Sequence, residues 1–240
     1  MASPSSGGAP GEERLIADQR AYYRQRAPEY DEWWQRVGRY DRGESAARDW
    51  VDQVGEVAGA LRRFGARGDV LELAGGTGWW TERLAETATA LTVVDASLET
   101  LELNRRRIGR RDQVDYVVAD LFDWSPTRFY DAVFFSFWLS HVPRDRFEAF
   151  WHLVGEALGP GGRVFLIDNR RPERSWPTAD VVDETPDVQH RTLNDGSVHR
   201  LVKIFYEPDN LTARLAELGW RAEIAATPLF IYGTAEPGAD

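Results

Sequence analysis

Apolar positions along the chain recur at two spacings, and the alternation between them defines the class of fold. Runs of strand length, DVLEL (69–73), LTVVD (91–95), VDYVVAD (114–120), YDAVFFS (130–136) and RVFLID (163–168), are interleaved with helical spacing at 78–88, 97–109 and 144–158. Strands joined by helical connections predict a mostly parallel sheet covered on both faces, the three-layer α/β class. Ahead of them, ESAARDWVDQVGEVAGALRRFG (44–65) places Ala47, Trp50, Val51, Val54, Val57, Ala58 and Leu61 at helical spacing, and Gly65 suits its end. Further upstream, LIADQRAYYRQR (15–26) predicts a helix that Pro28 breaks before the aromatic stretch PEYDEWW. Beyond Asp168 a polar, Pro-containing stretch leads to VQHRTL, the turn NDG and SVHRLVKIFY, which reads as a hairpin because Asp-Gly supplies the positive φ of a tight reversal. A helix over 208–220 and a last strand around 222–233 close the chain.

Composition narrows this picture. At 240 residues one domain is expected, divided into a tail (1–13), an N-terminal cap (14–43), a core (44–168) and a later part (169–240) holding the hairpin and last strand. The tail, MASPSSGGAPGEE, reads as disordered. A formal charge of −10 provides no broad basic field for nucleic acid. With no cysteine there is no thiolate chemistry, and the four histidines lack the spacing of a metal site, so no metal is expected. No signal-type or membrane-length apolar run occurs, so the expectation is a cytoplasmic protein without a membrane partner, a monomer or homodimer.

The candidate chemistry begins at VLELAGGTGWWT (70–81), a strand that runs through an acid into a small-residue loop. Such a loop lets a ligand approach backbone N–H groups closely. The dinucleotide fingerprint G-x-G-x-x-G fails because Gly76 and Gly78 are followed by Thr81, and a Walker loop fails for want of G-K-[ST]. The stretch instead resembles motif I of the class I S-adenosylmethionine-dependent methyltransferases, standing here as Glu72-Leu73-Ala74-Gly75-Gly76-Thr77-Gly78, with Ala74 in place of the first glycine. LTVVDAS, VVADLFDW, YDAVFFSFWLSHVP and GPGGRVFLID are similar to the family's later motifs, so the resemblance covers roughly residues 68 to 168 closely.

That resemblance implies a Rossmann-like seven-stranded sheet of order 3-2-1-4-5-7-6 with the last strand antiparallel, and S-adenosylmethionine as cofactor. It implies cofactor contacts from Glu72, Ala74, Gly75, Gly76 and Gly78; from Asp95 to the ribose, with Ala96 and Ser97 beside it; from Asp120, Leu121 and Phe122 on the adenine side; and from Ser136 and Phe137. Asp95 has a second reading as the cap of the following helix. The N-terminal YYRQRAPEYDEWW resembles the segment that many small-molecule members fold over the cofactor, which places Tyr23 and Arg26 at the cofactor and Tyr30 and Trp34, with Trp138, at the acceptor.

His141 is the candidate base, standing just past the fourth strand at the edge where open α/β sheets bind ligands, and its other reading is a packed structural residue. Asp168 is a second candidate. The expected reaction is methyl transfer to a small-molecule acceptor by in-line displacement, in which the protein mainly orients the reactants and excludes water. The aromatic density suits a flat or apolar molecule, and the arginines of NRRPER (169–174) suit an acidic group. Two rivals are a non-catalytic module that binds the cofactor and, less well supported, an NAD(P)-dependent oxidoreductase.

Overall fold

The structure, a computed structural model, describes residues 10–171 and 181–238. The chain opens with α1 (Pro10–Arg26), a 3₁₀ turn, α2 (Tyr30–Gln35) and α3 (Glu44–Phe64). It then alternates: β1 (Gly68–Leu73), α4 (Thr81–Leu84), β2 (Ala88–Asp95), α5 (Leu98–Ile108), β3 (Val114–Val118), β4 (Tyr130–Ser136), α6 (Phe147–Ala157) and β5 (Leu158–Asn169). Three short strands follow, β6 (Val181–Thr185), β7 (Val188–Thr192) and β8 (Val198–Val202), before α7 (Pro208–Glu217), β9 (Trp220–Ala226) and β10 (Phe230–Pro237).

The main sheet has seven strands in the order β3-β2-β1-β4-β5-β10-β9. Numbered without the three strands of the second sheet, this is the 3-2-1-4-5-7-6 order, and β10 pairs antiparallel with both β5 and β9. Side chains alternate across the central strands. Leu71, Leu73, Val133, Phe135, Val164 and Leu166 face the layer of α6 and α7, where Trp151 and Phe147 are fully buried. Val70, Val93, Phe134, Phe165 and Ile167 face α3, whose apolar stripe supplies Trp50, Val57, Leu61 and Phe64. Gly65 ends α3 at φ 67, its N–H donating to the Leu61 carbonyl.

Four expectations change. The region expected to form a helix over 78–88 forms only the four residues of α4, because the chain stays in a turn through Trp80 with Gly78 at φ 94. The hairpin strands β7 and β8 are joined by β6 in a separate antiparallel sheet, packed on α1 through Tyr22, Leu193 and Leu201. The polar stretch before it contributes β6, which its composition did not announce. The single last strand is in fact two, β9 and β10, reversing at 227–229. The expected tail ran to residue 13, yet α1 begins at Pro10 and Glu12 pairs with Arg146 at 2.6 Å; residues 1–9 lie outside the described residues.

Gly233 sits where β10 crosses β9 with no room for a side chain: a Cβ there would lie 2.1 Å from the Glu223 carbonyl oxygen. Gly233→Ala should therefore lower the unfolding free energy by about 2 kcal/mol or more, because backbone rather than a flexible side chain must move. Urea denaturation of the two proteins checks this.

Candidate active site

The carboxyl ends of β1, β2, β4 and β5 lie side by side, and the loops that leave them face the helices of the cap. The first of these loops is unusual backbone. Ala74, Gly76 and Gly78 all have positive φ, at 54, 56 and 94. Gly75 cannot be larger, since a Cβ would lie 2.3 Å from the Val93 side chain, whereas Gly76 has open space before it.

A buried polar network holds this loop from below. Asn104, fully buried on α5, donates to the carbonyls of Gly75 (3.3 Å) and Gly76 (3.2 Å) and to Thr81 Oγ1 (2.7 Å). Thr81 in turn donates to Glu72 Oε2 at 2.6 Å, and the Tyr116 hydroxyl donates to Asn104 Oδ1 at 3.0 Å. Glu72 thus lies behind the loop and lines neither of the two cavities described below. Burial pushes its carboxyl up to about 8, against the opposing hydrogen bond from Thr81.

The first cavity, about 110 Å³, lies between this loop and α1. Ala74 and Gly76 form one wall, Asp95, Ala96 and Ser97 a second, Asp120, Leu121 and Phe122 a third, and Ser136, Phe137 and Trp138 the floor. Gly75 and Gly78 are behind the surface. Asp95 Oδ2 accepts from the Gly76 N–H (3.0 Å) and Oδ1 from the Ser97 N–H (2.9 Å). Burial raises its pKa, an effect these backbone donors oppose. The helix cap is Ser97, whose Oγ accepts from the Thr100 N–H at 3.1 Å, so Asp95 does not cap α5. Asp120 is ion-paired with Arg20 of α1.

The second cavity is larger, about 480 Å³, and its wall carries Arg26, Arg36, Arg170, Arg171, Arg191 and Lys203, with Asp183 as the carboxylate among them. Arg170 and Arg171 are paired with Glu207 and Asp183; Arg174 lies outside the described residues. Arg26 is buried, with cation–π contacts to Tyr22 and Tyr30, and the Nε atoms of both Arg26 and Arg191 have no hydrogen-bond acceptor among the described residues. Lys203 is the chain's only lysine and is fully buried. Its Nζ donates to Ser140 Oγ at 2.7 Å and lies 3.7 Å from Asp168 Oδ1. Burial draws its pKa down to about 8, with Asp168 opposing.

Tyr23, Tyr30, Phe137 and His141 belong to both cavities. His141 Nδ1 is 2.7 Å from the Val202 carbonyl oxygen and must carry the proton there, which leaves Nε2 to accept from the Tyr23 hydroxyl at 2.6 Å. Burial, with Lys203 and Arg191 nearby, holds the imidazole well below its ordinary pKa. Burial likewise raises the Tyr23 phenol, which keeps its proton. The lone pair that a base would need is therefore engaged by Tyr23. Asp168 is buried and lines neither cavity; its Oδ2 accepts from the Ser140 N–H at 2.8 Å and Oδ1 from the Asn169 N–H at 2.7 Å. Trp34 also lies outside both, stacked on Trp79 at 5.1 Å, and Trp33 takes the place at the second cavity. Arg26 lines the second cavity and not the first; Trp138 lines the first and not the second. Sequence reading missed Asn104, Arg36, Arg191 and Lys203, and of these only Lys203 left a signal, as a lone lysine in an arginine-rich chain.

Among the described residues, no helix is long and apolar enough to cross a membrane, and no group of three or more His, Asp or Glu is placed to hold a metal.

A loop and acid arrangement of this kind on this sheet order defines a Rossmann-like methyltransferase site, and comparison with known proteins agrees. A family model described as a methyltransferase domain matches residues 70–162. The chain is similar to DhpI over nearly its whole length: 40% identity, 94% of this chain and 98% of that one, TM-score 0.76, for the DhpI–SAH complex. For the DhpI–SAM–HEP complex the figures are 42%, 96% and 100%, with TM-score 0.78. A demethylmenaquinone methyltransferase of Clavibacter sepedonicus is 33% identical over 135 residues, 55% of this chain, which spans about half (54%) of that relative's length. The chain belongs to the class I S-adenosylmethionine-dependent methyltransferases. Its cofactor is S-adenosylmethionine.

The Glu72 carboxyl sets a pH dependence. Its folded pKa lies above the unfolded value, so between about 4.5 and 8 the unfolded chain releases a proton that the folded one keeps, and stability falls as pH rises through that window. In Glu72→Gln that loss is absent. The melting temperature of the variant relative to the natural chain should therefore climb from pH 5 to pH 8 and level off above, as read by thermal scans.

Proposed function

We propose that this protein transfers the methyl group of S-adenosylmethionine to a small acidic molecule held in the second cavity. The observation that carries the reading is the set of six cationic side chains on one cavity wall in a protein of net charge −10. Cations gathered against the general charge, with buried guanidinium N–H groups left without acceptors, suit a ligand that brings its own negative oxygens. DhpI is seen with SAM and HEP together, which supports a second ligand site beside the cofactor. A quinone-type acceptor, which the name of the Clavibacter relative indicates for that protein, has no charge to meet these residues.

The bound cofactor supplies an electrophilic methyl group on a sulfonium. Asp95, already anchored by the Gly76 and Ser97 N–H groups, is oriented to accept from hydroxyls in the first cavity, and Asp120, Leu121 and Phe122 form the wall suited to a nucleobase. Gly76 permits close approach. Tyr23, Tyr30 and Phe137, shared by both cavities, keep water from the boundary where the ligands meet. An acidic oxygen is ionised at neutral pH and needs no proton removed, which suits a histidine held neutral with its lone pair engaged: on this reading His141 orients Tyr23. The protein would act in the cytoplasm as a monomer or homodimer.

The test is release of S-adenosylhomocysteine from S-adenosylmethionine with carboxylates, phosphate monoesters and phosphonates, set against neutral phenols and quinones. Turnover confined to the neutral compounds would overturn the acidic-acceptor reading. With a competent acceptor, Arg191→Met should raise its KM by about tenfold or more, the cost of one charge-assisted contact, and leave the affinity for S-adenosylhomocysteine unchanged.

Lys203 adds a pH dependence to the same measurement. It is charged below and neutral above a pKa of about 8, so the acceptor KM should rise as pH passes 8, and Lys203→Met should have no such rise.

A further inference from the structure

The three carboxylates Glu29, Asp31 and Glu32 fasten the cap segment, but to different parts of the molecule. Glu29 accepts from Arg39 (2.7 Å) and from the Asn194 N–H (3.2 Å), and Glu32 accepts from the Asn194 side chain (3.1 Å). Both hold the cap against the turn of the second sheet. Asp31 points the other way. Its Oδ1 accepts from Thr77 Oγ1 at 2.8 Å and from the Trp79 indole N–H at 3.0 Å, and its Oδ2 pairs with Arg107 of α5. Arg107 closes the clasp: its Nε donates to the Thr77 carbonyl at 2.8 Å, and its guanidinium lies 4.4 Å over the Trp79 ring.

None of Asp31, Thr77, Trp79 or Arg107 lines either cavity. Thr77 is the residue between Gly76 and Gly78, so the clasp grips the glycine loop at its centre. The residues beside Asp31 are in the cavity walls, Tyr30 in both and Trp33 in the second.

We propose that Asp31 is a positioning residue that locks the cap helix α2 to the cofactor loop, so that the conformation in which Gly76 faces the cofactor is the one in which Tyr30 and Trp33 are in place. The physical reason is that a loop with three positive-φ residues in five has several accessible paths, and Asn104 and Asp95 restrain it only as far as Gly76. Asp31 and Arg107 restrain the next residue, Thr77, through its hydroxyl and its carbonyl, and a charged acceptor taking two neutral donors and a guanidinium is the strong form of such a tether. This inference rests on the first cavity being the cofactor site, which loss of S-adenosylhomocysteine binding in Asp95→Ala checks separately.

The experiment is titration calorimetry with S-adenosylhomocysteine on the natural chain, Asp31→Ala, Asp31→Asn and Glu32→Gln, run well below each protein's melting temperature so that only folded protein is present. Asp31→Ala should weaken binding by about tenfold or more. Asp31→Asn keeps an oxygen for Thr77 and Trp79 but gives up the ion pair, so it should weaken binding less, and it carries the test if the alanine variant fails to fold. Glu32→Gln, which exchanges the charge-assisted contact to Asn194 for a neutral one and so weakens the cap only on the side of the second sheet, should bind as the natural chain does. A dissociation constant within twofold of the natural value in the folded Asp31 variants would overturn the proposal, and so would an equal loss in Glu32→Gln, which would mean that any loosening of the cap has the same effect.

Discussion

Everything at this site depends on a stretch of backbone that departs from β1 through Ala74, Gly76 and Gly78 with positive φ, beyond the point where the Gly75 N–H makes a last ladder bond to the Val94 carbonyl. Peptide groups so placed must be satisfied by something other than a ladder, and buried ones left unmade are costly. The molecule answers with side chains. Asn104 takes the carbonyls of Gly75 and Gly76, Asp95 takes the Gly76 N–H, and Thr81 ties Asn104 to Glu72 beneath. Glu72 is thereby a structural carboxyl, kept protonated by burial so that it ends the network without a bare charge. The residue that reads as a ligand contact supports the loop instead, and the helix expected to start within the loop is delayed to Thr81.

The second constraint is electrostatic. Burying cations without matched anions is costly, and this chain reduces the cost in a different way at each position. Arg26 is packed among the faces and edges of tyrosines. Arg170 and Arg171 keep surface carboxylates at hand. Lys203 has the buried Asp168 near it and Ser140 directly bonded. Asp168 thus acts on the cavity without touching it, by stabilising the ammonium that does. A compact ammonium with rotatable donors suits a place between a serine hydroxyl and a carboxylate.

How much of this was legible in the sequence follows from the range of each interaction. The strands and their order were legible because period-2 and period-3.6 patterns, with the motif I resemblance, are local signals: YDAVFFS matches β4 residue for residue. The loop residues and Asp95 were legible for the same reason. The second cavity was not, because its wall is assembled from α1, the end of β5, and the second sheet, and nothing local tells Arg191 or Lys203 that they face Arg26. The second sheet itself was half seen: Asp195-Gly196 announced the reversal between β7 and β8, but β6 is a polar strand whose pairing depends on β7 being there first. Trp33 and Trp34 could not be told apart by composition. Their roles divide because α2 is a single short turn of helix that presents one ring to the cavity and stacks the other on Trp79.

Phe137 shows how these constraints meet. It is a bulky residue at φ 54, a conformation that costs energy and persists only where the surroundings hold it. They do so here: its N–H donates to the Ile167 carbonyl at 2.8 Å, and its ring is packed edge-on against Trp33, Trp34 and Phe230. Those contacts come from the cap and from the last strand, so the strained residue at the end of β4 is held by elements far from it in sequence on both sides. Because Phe137 is also part of the boundary between the two cavities, their separation is a property of the completed fold. A sheet with motif I alone would have the wall of the first cavity but not the second, whose lining comes from elements that the motif does not contain.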